Sequence, residues 1–122
     1  MSGIKYLLDT NFVLGMLKAT PEVLDIVSAR DLIASSCAYS AVTRMELLGY
    51  AGMTTAEEGL ISNRLSNFIY LPITVEVEDL AIALRRTRKV KLPDAIIAAT
   101  ARYHGLELLT LDKGLLSISR EV

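Results

Sequence analysis

The stretch Tyr6-Leu7-Leu8-Asp9-Thr10-Asn11 decides how the rest of the chain is interpreted. Its short apolar run is typical of a buried strand, and the run ends at a carboxylate, a hydroxyl and an amide. In an α/β protein the carboxyl ends of parallel strands form the edge at which ligands bind. Asp9 therefore marks a candidate functional edge, and the other segments matter for what they bring to it.

The composition is that of one globular domain over residues 1–122. Hydrophobic residues make up 52% of the chain, and we interpret part of this excess as surface for self-association or for a protein partner. No apolar run approaches the roughly 20 residues of a membrane span, and no signal peptide is evident. The single cysteine, Cys37, excludes an internal disulfide and a cysteine-rich zinc site, so a reducing cytoplasm is the expected location.

Apolar segments of strand length alternate with segments of helical spacing along the chain. Strands are predicted at 4–8, 38–40, 68–73 and 106–110, with a brief last strand around Ile118. Helix starts are predicted at Asn11 as an N-cap, at Thr20-Pro21-Glu22, at Ala41, at the capping box of Thr54 and Glu57, at Thr74 and at Pro93. This alternation predicts an α/β fold with a mostly parallel sheet covered on both faces.

Four carboxylates lie in apolar surroundings, where an unpaired charge is costly. Asp9 and Asp112 each follow a strand and are expected at one edge of the sheet, whereas Glu46 interrupts an apolar helix. Asp94 opens an alanine-rich helix and reaches that edge only if the connection 89–92 crosses it. Three of these acids also have an ordinary alternative: Asp94 as a helix-start acid, Glu46 as a solvated residue, and Asp112 as a cap of the next turn.

Polar residues near these acids suggest a metal site. Carboxylates without histidine or cysteine suit a hard ion such as Mg²⁺ or Mn²⁺. Asn11 and Thr110 can add neutral oxygens or orient ligands, Thr43 shares a helix face with Glu46, and Ser40 ends a strand nearby. An acidic cluster of this kind suits phosphodiester hydrolysis with one or two bound metal ions.

The basic residues are concentrated just before Asp94. The formal net charge of −1 is not that of a general nucleic-acid binder, but it hides this local concentration. Phosphate contacts beside the acidic edge could position a nucleic-acid strand without reading its sequence, and a solvated basic helix face is the alternative. The residues concerned are Arg85, Arg88, Lys89 and Lys91.

Four motifs in order carry a family resemblance over nearly the whole chain. They are Leu8-Asp9-Thr10-Asn11, Ser40-Ala41-Val42-Thr43-Arg44-Met45-Glu46-Leu47, Leu92-Pro93-Asp94-Ala95 and Leu109-Thr110-Leu111-Asp112. Together they resemble the PIN-domain ribonucleases, and in particular the VapC-type toxins of prokaryotic type II toxin–antitoxin modules.

The resemblance implies a PIN-like three-layer sandwich, with a central sheet of four to five mostly parallel strands, and a metal-dependent endoribonuclease acting on RNA. It places the family's acids at Asp9, Glu46, Asp94 and Asp112, with Asp9 and Asp94 as the principal metal ligands. It also implies a homodimer and a cognate antitoxin whose tail covers the site. The chain departs from the family after the fourth acid, where Leu115 and Leu116 stand in a region that often carries an aromatic residue.

Two alternatives come from other functional classes. A phosphatase of the haloacid dehalogenase type also ends its first strand in an aspartate, but its second acid stands two residues later, where this chain has Asn11. A PIN-like domain that binds RNA or a protein without cleaving is the other alternative, and the presence of all four acids argues against it.

Overall fold

The computed structural model describes residues 3–120. Within that range the chain alternates short parallel strands with pairs of helices. The elements, in order, are β1 (Tyr6–Leu8), α1 (Thr10–Lys18), α2 (Pro21–Ala29), a 3₁₀ turn (Ala34–Ser36), β2 (Cys37–Ser40), α3 (Ala41–Leu48), α4 (Thr55–Leu65), β3 (Ile69–Leu71), α5 (Val75–Thr87), α6 (Leu92–His104), β4 (Glu107–Leu109) and α7 (Lys113–Arg120).

The four described strands form one parallel sheet in the order β3-β2-β1-β4. The strand that ends at Asp9 is therefore central, with β2 on one side and β4 on the other. Because every pair is parallel, all four carboxyl ends lie on the same edge of the sheet. The expected α/β fold with helices on both faces is confirmed, with the lower of the expected strand counts.

Successive strand residues face opposite sides of the sheet, and each side has its own core. Leu7 and Leu108 belong to a cluster formed with α5, α6 and α7. Leu8 and Leu109 belong to a second cluster formed with helices α1 to α4. All four leucines are almost fully buried, which explains why these strands read as continuous apolar runs.

Most helix boundaries agree with the sequence signals. The capping box of Thr54 and Glu57 is present at α4, and the Thr74 hydroxyl accepts a hydrogen bond from the backbone N–H of Val77 at α5. Helix α6 ends at Gly105, whose φ of 66° lies in the left-handed region that glycine adopts without strain. Among the described helices, none is long and apolar enough to cross a membrane.

One predicted N-cap is wrong, and a second, Thr20, has the predicted position without the capping hydrogen bond. Asp9, not Asn11, caps α1: the Asp9 side chain accepts a hydrogen bond from the Thr10 backbone N–H, and Asn11 is an exposed residue of the first turn. At α2 the helix begins at Pro21 as predicted, but the Thr20 hydroxyl makes no capping hydrogen bond. That hydroxyl is buried and packs against the backbone of α1 at Gly15.

The predicted last strand around Ile118 is also wrong. Residues Lys113–Arg120 form helix α7, and Leu115 and Ile118, three residues apart, are both buried in the core shared with α6. The Asp112 carboxylate starts this helix by accepting a hydrogen bond from the Leu115 backbone N–H. The strands predicted at 4–8, 68–73 and 106–110 are each shorter in the structure, at Tyr6–Leu8, Ile69–Leu71 and Glu107–Leu109.

Candidate active site at the carboxyl edge of the sheet

Polar residues lie at the carboxyl ends of three neighbouring strands of the sheet. Asp9 follows β1, Ser40 is the last residue of β2, and Thr110 follows β4. The pairing of Leu8 with Leu109 sets Asp9 level with Thr110. These three side chains are all buried, although they lie at the end of the sheet and not in its interior.

Asp9 is held in place from two directions. Its Oδ1 accepts a hydrogen bond of 2.7 Å from the Thr10 backbone N–H, and its Oδ2 accepts one of 2.7 Å from the Thr110 hydroxyl. Burial raises the pKa of Asp9, the two hydrogen bonds lower it, and the charges of Glu46 and Asp94 raise it again. The carboxylate is only 5% exposed, so it is fixed in orientation and poorly hydrated.

The Thr10 hydroxyl joins α1 to α3. It lies 2.6 Å from Oε1 of Glu46, to which it donates, and 3.1 Å from Oγ1 of Thr43. Thr43 is fully buried, and its backbone N–H donates to the Ser40 hydroxyl at 3.2 Å. Thr43 and Glu46 thus face one side of α3, as their spacing predicted. The exposed Glu46 side chain is directed to the edge where Asp9 lies.

Asp94 lies in the first turn of α6 and is partly buried. Burial raises its pKa, the charges of Asp112 and Glu46 raise it further, and Lys91 opposes this rise. The charges of Asp112 and Glu46 act on Asp94 because it lies near them, so the connection before α6 does bring it to the edge. Asp94 also has the position of an ordinary acid at the start of a helix. This structural role is compatible with its place in the acidic cluster.

Asp112, which follows β4 and precedes α7, is exposed. Its backbone N–H donates to the Thr110 hydroxyl at 3.0 Å, and its Oδ1 accepts from the Leu115 N–H at 3.1 Å. One threonine hydroxyl therefore contacts Asp9 and the backbone of Asp112 at once. One carboxylate oxygen of Asp112 therefore caps α7, so this acid has a structural role as well, as Asp9 has at the start of α1.

The acids interact electrostatically but are not packed into a preformed cage. Among residues 3–120, no group of three or more acidic, histidine or cysteine side chains is already close enough together to hold a metal ion. The donor atoms are nevertheless all oxygens, and beside burial the charges of neighbouring acids raise the pKa of Asp9 and of Asp94. A cation between them would relieve that repulsion, which makes the donor set chemically suited to a hard divalent ion.

The predicted basic residues line a shallow cleft of about 480 Å³ next to this edge. The cleft is formed by the end of α5 and the connection to α6, and Lys91 at its end is close enough to affect Asp94. The cleft is lined by Arg85, Arg88, Lys89, Val90 and Lys91.

Asn11 was also predicted to be a polar residue of the site, but its side chain is exposed. The Thr10 hydroxyl, and not Asn11, makes the hydrogen bond that joins α1 to Glu46.

Thr10 is the residue that sequence reasoning missed. The signal was present, because a hydroxyl directly after a strand-end aspartate must lie at the first position of the following helix. What the sequence did not indicate was that α3 would pass close enough for this hydroxyl to reach Thr43 and Glu46, 33 and 36 positions away.

Two apolar grooves lie elsewhere on the surface. One, of about 360 Å³, separates α5 from α6 and is lined by Ile73, Ile82, Leu92 and Ile96 with Glu78 and Arg85 beside them. The other, of about 590 Å³, separates α1 from α4 and is lined by Leu14, Leu17, Leu60 and Tyr50 with Lys18 and Arg64. They account for part of the apolar excess in the composition.

A parallel sheet with a buried strand-end aspartate and further acids at the same edge defines a class of α/β proteins with an acidic site. The PIN domain family matches residues 6–121, and the chain belongs to that family. This membership sets aside the haloacid dehalogenase alternative and confirms the family resemblance that the four sequence motifs indicated.

Solved structures support the same assignment. A toxin–antitoxin complex from Klebsiella pneumoniae contains a chain 33% identical to this one, with a TM-score of 0.76 and coverage of 88% of this chain and 87% of that chain. FitAcB from Neisseria gonorrhoeae is 27% identical, with a TM-score of 0.74 and coverage of 93% and 92%. VapBC2 from Rickettsia felis, bound to a DNA fragment from their promoter, is 17% identical with a TM-score of 0.77 and coverage of 94% and 93%, and shows the same fold. The curated proteins contain no match.

Proposed function

We propose that this chain is a metal-dependent endoribonuclease and the toxin of a toxin–antitoxin pair. One observation carries the nuclease proposal: Asp9, Glu46, Asp94 and Asp112 lie at one edge of the sheet, and burial and the charges of neighbouring acids raise the pKa of Asp9 and Asp94. Membership of the PIN domain family supports the same reaction class. Repulsion among clustered carboxylates costs stability, so the presence of such a cluster favours a functional role.

Mg²⁺ or Mn²⁺, as one or two ions, is the proposed cofactor. Asp9 and Asp94 are the principal ligands, and Glu46 and Asp112 complete the acidic set. When bound, a divalent ion supplies an activated water and neutralises the charge that develops on the leaving oxygen. The protein keeps the Asp9 carboxylate oriented through Thr110 and the Thr10 N–H, while Ser40 and Thr43 fix the part of α3 that carries Glu46.

RNA is the proposed substrate, and the basic cleft is its proposed phosphate-binding surface. Arg85, Arg88, Lys89 and Lys91 lie beside Asp94 and supply the positive charge that the acidic edge lacks. In this proposal the basic side chains contact the phosphate backbone of the RNA, so they position the RNA strand without selecting its sequence. Asn11 is exposed in the first turn of α1, so its proposed role is to contact the bound RNA and not to orient the buried Asp9.

Cleavage of a single-stranded RNA with and without Mn²⁺ tests the proposal. Asp9→Asn and Asp94→Asn should both reduce cleavage to the metal-free level, and Asp25→Asn, an exposed acid on α2, should not. Asparagine keeps the size of the side chain and leaves an oxygen to accept the Thr10 hydrogen bond. RNA binding without cleavage in the unaltered protein would favour the non-catalytic alternative, and cleavage that persists in a chelator would exclude the metal mechanism.

A cognate antitoxin is the proposed partner, in the cytoplasm. The groove between α1 and α4 is the proposed site, because α1 begins at Thr10 in the acidic edge and leads away along this groove. An apolar segment in the groove can therefore continue into the site and cover Asp9. Leu60→Glu should prevent such binding without affecting RNA cleavage, which co-purification with the protein encoded next to this one would measure.

A homodimer is also proposed, through the groove between α5 and α6. Val75 and Ile82 are 65% and 47% exposed on one face of α5, and Glu78 and Arg85 flank Ile82 on the same face. An antiparallel pair of α5 helices brings Glu78 of one copy to Arg85 of the other. Light scattering should show a dimer that Ile82→Glu dissociates and that Leu60→Glu leaves intact.

A further inference from the structure

Thr10 lies between two of the acids and donates a hydrogen bond to each of them. Its backbone N–H donates to Oδ1 of Asp9 at 2.7 Å, and its hydroxyl donates to Oε1 of Glu46 at 2.6 Å. Both bonds have the short lengths of hydrogen bonds to ionised carboxylates. One residue therefore joins the acid that follows β1 to the acid that α3 carries.

The sheet topology explains why Thr10 reaches both acids. β1 and β2 are parallel neighbours, and α1 and α3 start directly after them, at Thr10 and Ala41. The first turns of the two helices therefore lie side by side at the carboxyl edge of the sheet. Glu46 follows Thr43 by three residues, so both side chains project from α3 on the side where the Thr10 hydroxyl contacts them.

Buried neighbours set the direction of the Thr10 hydroxyl. A hydroxyl has one hydrogen to donate, and an ionised carboxylate can only accept. The Thr10 hydroxyl therefore donates to Glu46 and accepts from Thr43, whose Oγ1 lies 3.1 Å away. Thr43 and Ser40 are fully buried, and the Ser40 hydroxyl lies 3.4 Å from Oγ1 of Thr43. The hydroxyl that holds the exposed Glu46 side chain is thus itself held by buried residues.

Thr10 holds two carboxylates near each other without neutralising them. A lysine or arginine between two acids would offset their repulsion, but it would also cancel the negative charge that attracts a cation. The N–H and the O–H of Thr10 are neutral donors, so Asp9 and Glu46 keep their charge. Because the Glu46 side chain is already held, it loses less rotamer freedom when an ion binds.

We propose that Thr10 is a positioning residue that fixes Glu46 relative to Asp9 for the binding of a divalent ion. The inference rests on the proposed metal-dependent nuclease function and adds to it a residue that acts through the two acids. Replacement of Thr10 by valine removes the hydroxyl and keeps the backbone N–H. It therefore releases Glu46 and leaves the hydrogen bond to Asp9 in place.

The first test is the binding of Mn²⁺ to the full chain, measured by titration calorimetry. Thr10→Val should bind Mn²⁺ about 10- to 100-fold more weakly, the usual loss when a group that orients a metal ligand is removed. Thr10→Ser keeps the hydroxyl and should bind as the unaltered protein does. Thr55→Val is the matched control, because Thr55 is also the first residue of a helix, α4, and is exposed.

Cleavage of a single-stranded RNA gives a second readout. At a low, fixed Mn²⁺ concentration Thr10→Val should lower kcat and leave the KM for RNA unchanged. Excess Mn²⁺ should restore most of the lost kcat, which would not happen if the variant were merely unfolded. An increase in KM that excess Mn²⁺ does not reverse would mean that Thr10 acts on the RNA and not on the metal ligands, and would overturn the inference.

A third readout needs no metal. In a chelator, Thr10→Val should lower the melting temperature of the unaltered chain more than that of Glu46→Ala, because Glu46→Ala has already removed the acceptor of the Thr10 hydroxyl. An equal decrease in both backgrounds would show that the hydroxyl does not hold Glu46.

The outcomes separate this inference from the nuclease proposal. If the unaltered chain binds Mn²⁺ and cleaves RNA while Thr10→Val binds Mn²⁺ as Thr55→Val does, Thr10 is not a positioning residue and the nuclease proposal stands. Tighter Mn²⁺ binding by Thr10→Val would mean that the hydroxyl holds Glu46 away from the ion, and the inference is again refuted. The same follows if Thr10→Ser loses as much affinity as Thr10→Val. If the unaltered chain neither binds Mn²⁺ nor cleaves RNA, both proposals fail.

Discussion

The Thr110 hydroxyl donates a 2.7 Å hydrogen bond to Oδ2 of Asp9, across a sequence separation of 101 residues. The same hydroxyl accepts the Asp112 backbone N–H, so one threonine connects the acid after β1 to the acid after β4. This contact depends on the parallel pairing of β1 with β4. It provides a direct way to alter the candidate site without removing any of its carboxylates.

Thr110→Val should shift the pH dependence of cleavage. Burial raises the pKa of Asp9 and the Thr110 hydrogen bond lowers it, so the loss of this bond raises the pKa further. Asp9 is then ionised only at higher pH, and the acidic limb of the rate profile moves to higher pH. Loss of a supporting hydrogen bond of this kind costs about 10- to 100-fold in metal affinity or activity. Thr110→Ser restores the hydroxyl and should restore the profile; an unshifted Thr110→Val profile would argue against a role for ionised Asp9.

The metal-free stability of the protein should increase on acidification through the raised pKa values of Asp9 and Asp94. A carboxyl whose pKa is higher in the folded than in the unfolded state stabilises the fold at low pH, and that contribution is lost as the pH rises through the folded value. In Asp94→Asn the side chain at position 94 is neutral at every pH, so this variant should be more stable than the unaltered protein near pH 7. The stabilities of the two proteins should converge near pH 4.

Thermal melts in a chelator measure this difference. Asp25→Asn, which removes an exposed acid on α2, controls for the general effect of charge. A lower melting temperature for Asp94→Asn at pH 7 would mean that its favourable position at the helix start outweighs repulsion within the cluster.

Mn²⁺ should raise the melting temperature of the unaltered protein and leave Asp9→Asn and Asp94→Asn unchanged. A ligand that binds only the folded state stabilises it by about 2.7 kcal/mol at 100 times its dissociation constant. The bound ion is held by the acids and offsets the repulsion between them. The rise in melting temperature should therefore disappear when either principal ligand, Asp9 or Asp94, is replaced. Differential scanning fluorimetry at several metal concentrations tests this, and an equal shift in both variants would place the metal elsewhere.

Gly15→Ala should destabilise the fold, and Gly59→Ala should stabilise it. A Cβ at Gly15 would overlap Val23 and approach the Thr20 hydroxyl at 2.9 Å, because α1 and α2 meet closely there. Overpacking of this kind costs about 1–3 kcal/mol. A Cβ at Gly59, within α4, meets no atom within 4 Å, so alanine should gain about 0.8–1 kcal/mol of helix propensity. Urea unfolding measures both changes, and equal effects of the same sign would contradict the packing described between α1 and α2.

The short-range features of the fold were readable in the sequence. Thr54 with Glu57 and Gly105 after His104 are signals that act within one helical turn, and the structure has each of them. The signals failed where a distant contact decided the conformation. Asn11 has good N-cap chemistry, but Asp9 already occupies that position, and Ile118 has β propensity but packs on α6 as part of a helix.

The sequence by itself determined the class of fold and the candidate acids. Alternating apolar periods specify a parallel sheet between helices, and such a sheet brings every strand-end acid to the same edge. Only the tertiary structure decided that Thr110 orients Asp9, that Thr10 bridges α1 to Glu46, and that Asp112 caps α7. The reason is physical: these contacts join residues tens of positions apart, and the strand order and register set their distances, which no local pattern encodes.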